Sequence, residues 1–160
     1  MSGLDIRARP LTAEAFAPFG QVLAPPLEPG RQYFDEALAS ARPLARPSLS
    51  LSSRLPVPLP VRVAMLERHR FSSQTFVPLD VSRWLIVVAS HAAGGGPDCG
   101  RARAFVADPG QGVTYAMDTW HHGSTVLDRP ARFAVFMWRD GTPDDEEFVD
   151  VPPFVVRVDN

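Results

Sequence analysis

Along this chain apolar residues return at every second position far more often than at helical spacing. The stretches SLSLSS, VRVAMLERH, QTFVPL, RWLIVVAS, RARAFVAD, GVTYA, WHHGSTVL, RFAVFMWR and FVVRV, separated by proline, glycine and aspartate, read as strands. That makes about eight or nine short strands with no helical period between them, the pattern of an all-β (mainly) antiparallel sandwich or barrel rather than an α/β fold. One early segment, TAEAFAPFG, reads as a short helix: Thr12 caps it, Glu14 sits in its first turn, Pro18 limits it and Gly20 ends it. Residues 24–60 are rich in proline and predict a meandering arm with a helical turn, or a loop followed by an edge strand.

The most informative strand is VRVAMLERH, residues 61–69. Strict alternation puts Val61, Val63, Met65, Glu67 and His69 on one face, and Arg62, Ala64, Leu66 and Arg68 on the other. If the apolar set faces the core, Glu67 and His69 point inward at the end of the strand, where a barrel opens, while Arg68 points out. A buried acid and imidazole need partners. The competing explanation is a solvated or arginine-paired rim. RFAVFMWR is apolar on both faces, which predicts that one face is covered by a second subunit in a two-fold homodimer.

Composition removes several classes of function. The chain has 160 residues, which suits a single domain spanning 1–160. Its formal charge is -2, and its 16 basic residues, all arginine, are scattered along the chain, so no nucleic-acid footprint is expected. Without lysine, neither a Schiff base nor a phosphate-loop lysine is available. The glycines after His91, in HAAGGGPDCG, lack the strand-to-helix setting of a dinucleotide fingerprint, so no nucleotide or organic cofactor is expected, and His91 should sit in a mobile surface loop. Cys99 is the only cysteine and reads as a loop thiol. The run DDEE at 144–147 reads as a solvated turn before the last strand. No leader is evident in MSGLDIRARP, and WLIVVA at 84–89 is too short to span a bilayer; a soluble, cytoplasmic protein with no membrane partner is expected.

Chemistry concentrates in two places. In TYAMDTWHHG, residues 114–123, His121 and His122 are adjacent, so on a strand only one of them can enter a given pocket. In ERHRFSSQ, Glu67, His69 and Gln74 are separated by one and then four residues. Together these resemble the two signature motifs of the cupin superfamily, whose first motif supplies two histidines and a glutamate and whose second supplies a last histidine. The resemblance implies a cupin-like antiparallel β-barrel, a double-stranded β-helix with one short N-terminal helix. It also implies a metal-ligand set of Glu67, His69, Gln74 and His121, with His122 turned away. This sequence departs from that pattern, because only two of the four positions are histidine and Gln74 is a neutral ligand. Such a set suits a divalent transition metal, held more weakly than by the full cupin set.

A longer resemblance is more specific. LTAEAFAPFGQVL, MLERHRFSSQTFVPL, RAFVADPGQGVTYAMDTWHHG and RFAVFMWR, in this order, resemble the ureidoglycolate lyase family over roughly residues 10 to 140. The resemblance implies cleavage of (S)-ureidoglycolate to glyoxylate and urea in the use of allantoin nitrogen, and suggests nickel as the metal. The reaction needs a base for the hydroxyl proton and an acid for the departing urea nitrogen. Glu67 or His121 can be the base, His69 the acid or a ligand, and Arg103, Tyr115 and Gln74 can bind substrate, the guanidinium of Arg103 matching a carboxylate. Packing is an alternative explanation for Tyr115, and Trp120 and Trp138 read as core or interface rather than site. Two other functions share the fold: a small-carboxylate binding or sensor domain without catalysis, and another cupin enzyme such as a sugar-acid isomerase or metal dioxygenase.

Overall fold

The run Trp84–Ala89 has no polar residue because both of its faces are buried. Trp84, Ile86 and Val88 enter one core with Phe16, Phe76, Phe105, Tyr115 and Phe133. Leu85, Val87 and Ala89 enter a second core with Val63, Leu66, Trp120 and Phe154. Burying each large apolar side chain of this kind contributes about 1.5–3 kcal/mol. This strand is therefore the shared wall between the two apolar layers.

In the computed structural model, which describes residues 3–159, the strands in chain order are β1 (Asp5–Arg7), β2 (Arg9–Pro10), β3 (Gly20–Leu23), β4 (Arg46–Arg54), β5 (Val61–His69), β6 (Gln74–Pro78), β7 (Trp84–Ala89), β8 (Arg103–Ala107), β9 (Gly112–Tyr115), β10 (Trp120–His121), β11 (Thr125–Val126), β12 (Ala131–Arg139) and β13 (Glu146–Arg157), with α1 (Ala13–Phe16) between β2 and β3. Met1, Ser2 and Asn160, which the expected 1–160 domain and the reading of the N-terminal stretch include, lie outside the described residues. An eight-stranded sheet runs β1-β13-β5-β10-β7-β8-β2 with β11 also on β7, and a five-stranded sheet runs β3-β9-β6-β12-β4. Pairing is antiparallel except where β1 joins β13 and β2 joins β8. The two sheets face each other as a barrel-like β-fold, the mainly all-β architecture that the alternation predicts. There are more strands than expected because several segments contribute only two or three paired residues.

Several local expectations need correction. The helix is one turn long; Thr12 caps it by accepting the Ala15 N–H at 3.2 Å, and Phe16 drives into the core. Gly20 does not terminate it. Gly20 opens β3 at φ 151°, and a Cβ there would lie 1.8 Å from the Thr114 carbonyl oxygen, so its absent side chain lets β3 close on β9. The proline-rich region, by contrast, takes the second of its two expected forms, irregular chain followed by the edge strand β4, which pairs along β12. In β5 the alternation is broken: Val61, Val63 and Leu66 share one core, while Met65 is exposed. The cause is a register shift on the partner strand, where Asp150 opposes Met65 and Phe154 opposes Val63.

Candidate active site

Beyond that irregularity, β5 delivers Glu67 and His69 to the space between the sheets. Glu67 is in cross-strand register with His121 on β10, and His121 with Val88 on β7. Across the barrel, Gln74 is in register with Tyr115 on β9 and Met137 on β12. Register thus gathers residues from distant parts of the chain at one level of the barrel.

His121 is at the centre of the group and fully buried. Its Nδ1–H donates to the Thr119 carbonyl at 2.9 Å, while Nε2 lies 3.3 Å from Glu67 Oε1 and 3.1 Å from Gln74 Oε1. The Tyr115 ring stacks on the imidazole with centroids 4.0 Å apart and planes 15° apart. With Nδ1–H committed to a carbonyl, Nε2 faces two oxygens and needs a positive centre there, either a second proton or a metal ion. The His69 ring lies 5.9 Å from that of His121, and both His69 nitrogens are buried without a hydrogen-bond partner among the described residues. One ligand atom from each of Glu67, His69 and His121 falls within a 4.8 Å set. Open imidazole lone pairs beside a carboxylate are the donor set of a divalent transition metal, so these residues fit such an ion.

The electrostatics follow from burial and crowding. Burial, then the neighbouring His121, pushes His69 below the ordinary histidine range. Burial would raise the Glu67 carboxyl, but the hydrogen bond from His121 and the surrounding histidines outweigh it and hold it below the ordinary carboxylate range. The Tyr115 hydroxyl is driven far up by burial and then by Glu67, so it stays protonated.

Of the residues nominated from sequence, Glu67, His69, Gln74, His121 and Tyr115 come together. Arg103 does not join them. It continues the cross-strand row one strand beyond Val88, but its exposed guanidinium lies 5.7 Å from the Phe19 ring and lines a separate cleft of about 640 Å³ with Arg7 and Arg9. His122 is outside the cluster; its Nδ1–H donates to the Met65 carbonyl at 3.2 Å. Arg68 is on the other face of β5, bonded to Asp118 and Glu147 at 2.8 Å each, with its guanidinium 4.4 Å from the Trp120 ring centroid.

Two expectations about surface loops are corrected here. His91 is held rather than free, since its Nδ1 accepts from Trp120 Nε1 at 3.1 Å and its Nε2–H donates to the Asp118 carbonyl at 2.8 Å. The DDEE run is not simply a solvated turn. Asp145 is buried, with Oδ2 3.5 Å from His69 Nδ1, and Glu146 already begins β13 opposite His69. Sequence reasoning missed Asp145 because an acid inside an acidic run carries no periodic signal.

A barrel of this topology has a cupin-like fold. A solved dTDP sugar isomerase from Desulfovibrio desulfuricans G20 shares the fold, with a TM-score of 0.51 at 17% identity over 84% of this chain and 82% of that one. The chain belongs to the ureidoglycolate lyase family, which it matches over residues 4–157. A ureidoglycolate lyase of Mesorhizobium japonicum is 42% identical over 139 residues, covering 81% of this chain and 83% of that protein. One from Rhizobium etli strain CIAT 652 is 40% identical over 164 residues, covering 96% and 95%.

Proposed function

We propose that this protein cleaves (S)-ureidoglycolate to glyoxylate and urea, and that the buried group of Glu67, His69 and His121 carries the reaction. The observation behind this reading is a Glu67 carboxyl oxygen 3.3 Å from an imidazole nitrogen of His121, inside a member of the ureidoglycolate lyase family. Glu67 takes the hydroxyl proton as the carbon–nitrogen bond breaks; the O–H electrons become the glyoxylate carbonyl and the C–N pair leaves with the urea nitrogen. His121 Nε2, within reach of Glu67, hands a proton to that nitrogen, so the proton count balances with no added reactant. Gln74 and the stacked Tyr115 fix the ring plane of His121.

A divalent metal would be held by His69, His121, Gln74 and one Glu67 oxygen; His121 Nε2 then carries no proton, and the second Glu67 oxygen both takes the hydroxyl proton and passes it to the departing nitrogen. When bound, the ion supplies Lewis acidity to the substrate's hydroxyl and carboxylate oxygens. Nickel is the ion that the family resemblance suggests. We place Arg103 as an outer guide for the carboxylate rather than a direct contact. Residues 1–160 are read as one lyase domain, and the cytoplasm as its compartment. Among the described residues no helix is long and apolar enough to cross a membrane.

The homodimer proposed from sequence has a candidate surface. On the outer face of the five-stranded sheet, Leu49, Leu51 and Val77 are 72%, 73% and 41% exposed, beside the paired rings of Phe136 and Trp138.

Purified protein given racemic ureidoglycolate should release glyoxylate and urea in equal amounts and no ammonia, and should consume half of the racemate. Ammonia release, or binding without turnover, would replace the lyase with an amidohydrolase or a binding domain.

A further inference from the structure

Asp145 is fastened from two sides. Its carbonyl accepts the Arg70 N–H at 3.1 Å and its Oδ1 accepts the Phe71 N–H at 2.6 Å, so the carboxylate cannot swing. The other oxygen, Oδ2, lies 3.5 Å from His69 Nδ1 and 4.0 Å from Nη2 of Arg42, which is itself ion-paired with Asp140 at 2.7 Å. Among the described residues, Oδ2 and both His69 nitrogens are buried without a hydrogen-bond partner. A carboxylate oxygen accepts, so Nδ1 can bond to the Oδ2 that faces it only by carrying the ring hydrogen. That leaves the Nε2 lone pair for the cluster with Glu67 and His121.

We propose that Asp145 is a positioning residue that fixes His69 as the Nδ1–H tautomer and frees Nε2 for the site. Its effect on turnover rests on the lyase reading; the tautomer does not. The competing role is purely structural, a fastening of the chain at Arg70 and Phe71. Asp145→Asn separates the two roles. The asparagine carbonyl can keep the Phe71 bond, while its amide donates to Nδ1 and forces the hydrogen onto Nε2.

The experiment is a two-bond nitrogen–proton correlation spectrum of the metal-free full chain at pH 8, with the His69 signals assigned by their absence in His69→Gln. It is paired with melting and glyoxylate release. The wild type should show Nδ1–H with a bare Nε2. Asp145→Asn should show Nε2–H, melt close to the wild type, and release glyoxylate about 10–100-fold more slowly. Asp145→Ala, which also loses the Phe71 bond, should melt lower. Nε2–H in the wild type would overturn the assignment even if Asp145→Asn failed to fold, as would an Asp145→Asn protein that keeps the wild-type tautomer and rate. A wild type with Nδ1–H that releases no glyoxylate would keep the role of Asp145 and remove the lyase reading.

Discussion

The two adjacent histidines differ in what their nitrogens meet. His121 Nε2 faces Glu67 and Gln74, whereas His122 spends its Nδ1–H on the Met65 carbonyl and its backbone N–H on Val87. Replacing His121 by alanine should lower the rate at saturating substrate by about a hundredfold or more, the usual scale for a positioned acid–base group. His122→Ala should act on melting temperature and leave the rate within a few-fold. Folded, inactive His122→Ala beside active His121→Ala would reverse the assignment. The same groups set a pH dependence. Burial lowers His69, with His121 next in effect, and burial also lowers His122, both from an ordinary value of 6.5; Glu67 is likewise held below its usual range. All three bind protons more tightly in the unfolded chain, so their stabilisation is complete above the unfolded values and is lost as pH falls through the folded ones. Melting of the metal-free protein should therefore drop from pH 7 to pH 5, and less steeply in His122→Gln. A flat or rising profile would contradict these directions.

At the scale of elements, the segment that presents His121 is clasped from outside the barrel. Arg68 ties Asp118 to Glu147 and covers Trp120, while His91 bonds both Trp120 and the Asp118 carbonyl. Arg68→Ala removes two charge-assisted contacts and a cation–π contact, a loss of about 2–4 kcal/mol. It should lower the melting temperature by several degrees and raise hydrogen exchange at residues 116–121, and unchanged exchange there would reject the clasp. This level also shows what was legible in the sequence. Alternation placed Glu67 and His69 on one face of β5 and Arg68 on the other, but assigned Met65 to the core, because a register shift belonging to β13 leaves no mark on the β5 sequence. The resemblance to the two cupin motifs nominated Gln74 and His121 together, whose meeting depends on strand order across both sheets. Asp145 and His91 lay in stretches whose composition reads as loop, and only the tertiary contacts of each side chain reveal its partners.

At the scale of the whole molecule, the five-stranded sheet is unlike the eight-stranded one. Its inward side chains Phe76, Val113, Phe133 and Val135 fill the barrel core. Its outward side presents Leu49 and Leu51 from β4 in register with Phe136 and Ala134 of β12, with Val77 of β6 continuing the second row. A contiguous apolar face of this kind is costly to leave in water and, on a strand edge, invites pairing with another chain. A two-fold axis over β4 would let the same residues of two copies cover one another, as an isologous contact requires. Light scattering at micromolar concentration should give twice the chain mass. Leu51→Asp, which opposes two carboxylates across such an axis, should give the monomer mass while the barrel still melts cooperatively. If the wild type is a monomer, or if Leu51→Asp remains a dimer, the face does not serve this purpose. Because Gln74 and Met137 lie on the inner side of β6 and β12, two of the three strands that form this face, a monomeric variant should also lose part of its glyoxylate release, through looser placement of Gln74 against His121.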